Sequence, residues 1–136
     1  MEITVTKQTG KVSVAVIELN GQLDGQTYQA LIASAKEVYG GGAKDILLDL
    51  TNLTYISSAG LVAFHAIAMM LRGNTIPSSE AGWASMQSVQ MSGADKAEEH
   101  IKLLNPRAEV KSVLEMVGFD RAFEMYTDVQ QALDSF

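Results

Sequence analysis

Residues 48–64, LDLTNLTYISSAGLVAF, pass from a strand-like apolar run through two adjacent serines into a mostly apolar helical run. A serine at such a junction serves as a helix N-cap, because its hydroxyl accepts from an N–H that the first turn leaves orphaned. Either Ser57 or Ser58 fills that role, and one is enough. Gly60 then falls in the first helical turn, where glycine costs on the order of 1 kcal/mol against alanine. Such a glycine implies close approach by another backbone or a ligand. On a helical wheel over 58–72, Leu61, Phe64, Ile67, Ala68 and Leu71 form the obvious core face. The opposite side holds Val62, Ala66, Met69 and Met70, with His65 at its edge. A helix packed on a sheet is expected to turn polar residues outward. This one predicts an apolar strip in solvent beside the serines, the kind of patch that marks protein contacts and that methionine suits.

Upstream, ITVTKQTGKVSVAVIEL reads as a hairpin, with Ile3 and Val5, then Val12, Val14 and Val16, alternating around a turn at Thr9-Gly10. NGQLDGQT breaks that pattern, and a helix fits 26–39 until the glycines at 40–42 end it. DILLDL, 45–50, is a short apolar run of the kind a sheet buries on both faces. Downstream, 100–105 reads as another buried strand. Pro106 suits the first turn of a helix that Asn105 caps and Gly118 stops. AFEMY is a further strand candidate, and a last short helix follows Thr127 or Asp128. The sum is an α/β domain over 1–136: a mixed, mainly parallel sheet of about four or five strands with about four helices packed against it. Residues 73–99, rich in serine and glycine, fit neither pattern. They read as an insertion between the second helix and the next strand, with a short helix over 80–91.

Composition removes several function classes. A hydrophobic share of 47% is enough for a real core, and the net charge of −6 disfavours direct nucleic-acid binding. With no cysteine, thiolate chemistry is excluded. The apolar run 61–71 is too short to span a bilayer, and the opening residues show no basic segment followed by a long apolar one. The expectation is a cytoplasmic domain without membrane insertion. His65 and His100, the only two histidines, stand in no metal-ligand spacing, so no metal and no cofactor are expected, and each reads as a surface or edge residue. Ile56 occupies the place where a nucleophile elbow needs glycine. GGGAKD leads into a strand, whereas a phosphate loop opens a helix. An enzyme is not expected.

A hydroxyl at a helix N-terminus is also well placed for phosphate, because the free N–H groups and the dipole accommodate its added charge of roughly −1.5 to −2. Three segments then carry a family resemblance. The LDL strand with SSAGL and its apolar helix, the loop GQLDGQT at 21–27, and the segment IKLLNPRAEVKSVLEMVGFDRAFEMYTDVQQAL resemble, in that order, the STAS domain of anti-sigma factor antagonists. The resemblance covers nearly the whole chain except 73–99. It implies that Ser58, rather than Ser57, is the phosphorylated residue. It also implies that the unmodified domain binds a serine kinase acting as an anti-sigma factor, and that phosphorylation ends the binding. Ser57 departs from the family, which often has aspartate there. Asp24 reads by itself as a turn aspartate with its own hydrogen bonds. The resemblance adds Asp24 and Thr27 to a contact surface with Ser57, Ser58, Gly60, Val62, His65, Ala66 and Met69. The alternative it leaves open is a nonphosphorylated STAS subunit of a membrane transporter or sensory assembly.

Overall fold

The computed structural model describes residues 1–71 and 100–136. Strands β1 (Glu2–Thr9) and β2 (Ser13–Leu23) form the expected antiparallel hairpin, with Thr9 opposite Ser13 and Glu2 opposite Asn20. Beyond it lie α1 (Tyr28–Gly40), β3 (Ile46–Asp49), β4 (Leu53–Ile56) and α2 (Ser58–Leu71). From residue 100 onward follow β5 (Ile101–Leu104), α3 (Ala108–Met116), α4 (Phe119–Ala122), β6 (Met125–Tyr126) and α5 (Val129–Asp134). Among the described residues the six-stranded sheet runs β1-β2-β3-β5-β6, with β4 also paired to β2. Every pairing except β1–β2 is parallel. The proposed insertion at 73–99, and the helix over 80–91 within it, fall outside the described residues.

One strand serves two neighbours in succession. β2 pairs with β3 over Ala15–Glu18, then with β4 over Gly21–Leu23. The register shifts between Gly21 and Gln22, and Gly21 takes φ +116°, which a side chain rarely adopts. NGQL, which interrupts the hydrophobic pattern, is therefore strand with a bulge in it. β4, too short to show a period of its own, continues the position of β3.

Parallel strands need crossovers, and right-handed crossovers that step in one direction across a sheet put their helices on one face. Leu31 and Ala35 of α1, most of α2, Val110 and Leu114 of α3, and Phe119 and Ala122 of α4 accordingly share one core with Ala15, Ile17, Leu48 and Leu103. The other face holds a smaller core, where Ala132 and Leu133 of α5 cover Val14, Val16, Leu47 and Leu104.

One local expectation is corrected, and one left between two residues is decided. Asn105 does not cap the helix after Pro106: its φ is +54° and its side chain donates to Thr51 Oγ1 at 3.3 Å. A residue before proline is pushed out of the right-handed helical region, and this one leaves it on the left-handed side. The helix begins at Ala108 behind Arg107, whose Nε bonds Thr51 O at 2.9 Å. At the other end of the chain, Asp128 rather than Thr127 caps α5, its Oδ1 accepting from Gln130 N at 2.8 Å and Gln131 N at 3.3 Å.

Candidate functional site

Two loops meet at the carboxyl ends of β2 and β4. Ser57 joins them, its N–H donating to Leu23 O at 2.9 Å, while its carbonyl accepts the first helical bond of α2 from Leu61 N at 3.2 Å. Ser57 is the N-cap by backbone position, but its Oγ is buried and has no hydrogen-bond partner among the described residues. A buried hydroxyl left unpaired costs about 1–3 kcal/mol. Ser58, the first residue of α2, is exposed. Its backbone neighbours make the structural bonds, so its own hydroxyl is free of them.

The loop that follows β2 is a closed turn. Thr27 Oγ1 accepts from Asp24 N at 2.9 Å and lies 2.9 Å from Gln22 O, to which it donates. Asp24 Oδ1 accepts from Gln26 N at 2.9 Å and stands 3.2 Å from Thr27 Oγ1, an Asx turn that feeds α1. Asp24 O receives Tyr28 N at 2.9 Å. Asp24 and Thr27 are half-buried, so these groups hold the loop and still reach its surface. Because Leu23 adjoins Asp24 and Ser57 adjoins Ser58, the single Leu23–Ser57 bond brings both loops to one place.

Gly60 has a packing reason. A Cβ built on it would lie 2.6 Å from Ile56 Cγ1 and 2.9 Å from Leu23 Cγ. The close approach is by the domain's own side chains, so Gly60 seats α2 against β2 and β4 and is itself buried. The apolar strip expected in solvent is not there. Val62, His65, Ala66 and Met70 are all buried, and of that side only Met69 is half-exposed. A helix apolar all round is buried all round. Here α1 lies along α2, and Val62 and Met70 join the main core. His65, read as an edge residue, is only 5% exposed.

One surface residue escaped the sequence reading. Tyr55 of β4, opposite Gln22, is 50% exposed beside the serine junction. Its signal was an aromatic two residues before the serines, hidden because β4 itself was not recognised. Thr54 is exposed next to it and bonds Gly21 O at 3.0 Å, locking β4 to the bulge. Among the described residues no three His, Asp or Glu side chains cluster to hold a metal ion, and no helix is long and apolar enough to cross a membrane.

A family model described as "Mlab, STAS domain" matches residues 7–104. Among solved structures, an anti-sigma factor antagonist from Mycobacterium paratuberculosis is 17% identical, with a TM-score of 0.62, covering 97% of this chain and 92% of that one. The anti-sigma factor antagonist SpoIIAA in its unphosphorylated form is 16% identical, with a TM-score of 0.53, covering 98% and 96%. The Bacillus cell fate determinant SpoIIAA in the phosphorylated form is 17% identical, with a TM-score of 0.56, covering 98% and 97%. At these identities the likeness is one of fold. No curated protein matches the chain.

Proposed function

The chain belongs to the STAS domain family, and from that premise we propose that it is a cytoplasmic protein-binding regulator, an anti-sigma factor antagonist switched at Ser58. The observation that carries the proposal is the division of labour at the junction. Ser57 supplies the backbone bonds that hold α2 to β2, and Ser58 stands exposed one residue on. Phosphate on Ser58 leaves those bonds intact and gains from the first-turn N–H groups and the helix dipole. The unmodified domain binds a serine kinase that is also the anti-sigma factor. Ser58, Asp24, Thr27, Met69 and the rim of Ser57 make the contact, and Tyr55 extends it. Gly60, Val62, His65 and Ala66 act beneath that surface by fixing α2. Neither catalysis, nucleic-acid contact nor membrane insertion enters the proposal.

A second reading is a phosphate-independent subunit of a transporter or sensory assembly. It is favoured by the uncharged Ser57, where the family often carries aspartate. Intact mass of the protein from its native host, before and after phosphatase and with the site mapped, separates the two. Phosphate on Ser58 supports the switch, and an unmodified chain across several growth conditions supports the subunit. With the kinase in hand, Ser58→Asp is expected to weaken binding at least about tenfold, a change of roughly 1.4 kcal/mol. Ser58→Ala is expected to bind as wild type does and to resist phosphorylation. Both variants are expected to keep stability within about 0.5 kcal/mol, as surface changes do. If Ser58→Asp unfolds the domain, Ser58 is structural and the switch reading fails.

A further inference from the structure

We propose that two copies of this chain associate through β1, pairing antiparallel about a twofold axis at Val5 to form one continuous sheet. β1 is an edge of the sheet, paired with β2 alone among the described residues. Edge strands present unpaired N–H and C=O groups, and proteins commonly blunt them with proline, bulges or inward charges. β1 has no proline, pairs with β2 without a register shift over all eight residues, and carries charge only at Glu2 and Lys7.

Which groups face the free edge follows from the ladder. Gly10 N donates to Val12 O at 3.1 Å, and Thr9 faces Ser13, so the even-numbered residues of β1 exchange bonds with β2. Consistently, Ala15 N turns the other way, to Asp45 O at 3.0 Å. Ile3, Val5, Lys7 and Thr9 therefore point their backbone groups outward. A twofold axis normal to the sheet preserves its faces, so residues opposite each other must have the same parity. Centring the axis on Val5 meets that requirement and sets Val5 against Val5 and Ile3 against Lys7. These pairs engage three of the four outward-facing residues for about six backbone hydrogen bonds, and the register is chosen because it sets the exposed Val5 side chains against each other; Thr9 falls opposite Met1, at the end of the pairing. On the opposite face Thr4 meets Thr6 and Glu2 meets Gln8, so no like charges stand opposed. Val5, 40% exposed in one chain, is covered by its own copy.

The proposal is independent of the function assigned to Ser58. It is tested with the full chain by sedimentation at rising concentration. The expected result is a reversible rise from monomer to dimer mass, stronger at higher salt because each copy carries a net charge of −6. Val5→Lys places two ammonium groups face to face. Val5→Pro removes an outward N–H that β2 does not use. Both are expected to weaken association at least about tenfold with an unchanged circular dichroism spectrum, while Met116→Lys on a remote exposed site is expected to leave it intact. Since the chain has no cysteine, Val5→Cys gives a direct reading of register. Opposed residues of a hydrogen-bonded pair have Cα atoms about 5.5 Å apart, within disulfide range. Oxidation is expected to cross-link Val5→Cys rapidly and Thr9→Cys slowly. A wild-type chain that stays monomeric, a Val5→Lys variant that associates like wild type, or equal cross-linking of the two cysteine variants would overturn the proposal.

Discussion

Gly60→Val is expected to destabilise the domain by about 3 kcal/mol, at the upper end of the range for overpacking. The first added carbon alone would sit 2.6 Å from Ile56 Cγ1, 2.9 Å from Leu23 Cγ and 3.0 Å from Leu23 Cδ2. Leu23 is fully buried and Ile56 only 3% exposed, so neither has room to retreat. The first turn of α2 must lift instead, and lifting it strains the Ser57 N to Leu23 O bond that ties the two loops. Gly60→Ala is the sharper test, because helix propensity favours alanine by about 1 kcal/mol and packing opposes it. A net loss of about 2 kcal/mol is expected, a fall of roughly 6–10 °C in Tm for a chain of this size. Thermal and urea unfolding of the two variants measure both. If Gly60→Ala is as stable as wild type, the glycine is not a packing residue.

Glu124→Ala is expected to cost about 2 kcal/mol, and the loss depends on pH. Lys102 lies in the smaller core with a side chain only 6% exposed. Its Nζ donates to Glu124 Oε2 at 2.6 Å and to Ser135 O at 3.2 Å, and lies 5.3 Å from the centre of the Phe136 ring. Removing the carboxylate leaves a buried ammonium without its counter-charge, which costs about 3–5 kcal/mol for a fully buried pair. Glu124 is 44% exposed and water screens it, so the smaller figure applies. The hydrogen bond from Lys102, then that from Tyr126, holds the Glu124 carboxyl below its ordinary value of 4.5. The unfolded chain therefore takes up the proton first as pH falls. The stabilisation is complete above about pH 4.5 and is lost as pH drops through the lower folded value. Urea midpoints of wild type and Glu124→Ala should differ at pH 7 and draw together as the pH is taken progressively below 4.5. A double variant, Lys102→Met with Glu124→Ala, is expected to recover most of the loss. If it does not, the carboxylate acts by packing rather than by charge.

The hairpin was legible because Ile3, Val5, Val12, Val14 and Val16 alternate on either side of Thr9-Gly10, and a period of two leaves little choice of element. The buried strands β3 and β5 were equally plain as short apolar runs. What failed was information that no single segment carries. A helical wheel assigns an outside to every helix, and α2 lost its outside to α1, a neighbour some 30 positions away in sequence. β4 has two buried residues flanking two exposed ones, a pattern with neither period. Asn105 matched a cap in composition but was claimed by Thr51 across the loop. At the site itself, the turn at Asp24–Thr27 and the special position of Gly60 were both readable. The reason for Gly60 was not, because it depends on Leu23, brought alongside by the fold.

The placement of β5 bears on how the chain folds. β5 lies inside the sheet between β3 and β6, yet residues 72–100 separate it from α2. Bringing together β3 and β5, so far apart in sequence, costs entropy before any contact repays it, so this pairing is expected late, after the local β1–β2 hairpin. Until β5 arrives, β3 offers Ile46–Asp49 as an open, largely apolar edge, which in a partly folded chain is a template for aggregation. Substitutions that weaken β5 should therefore lower the yield of refolding at high protein concentration more than they lower the melting temperature of what has folded.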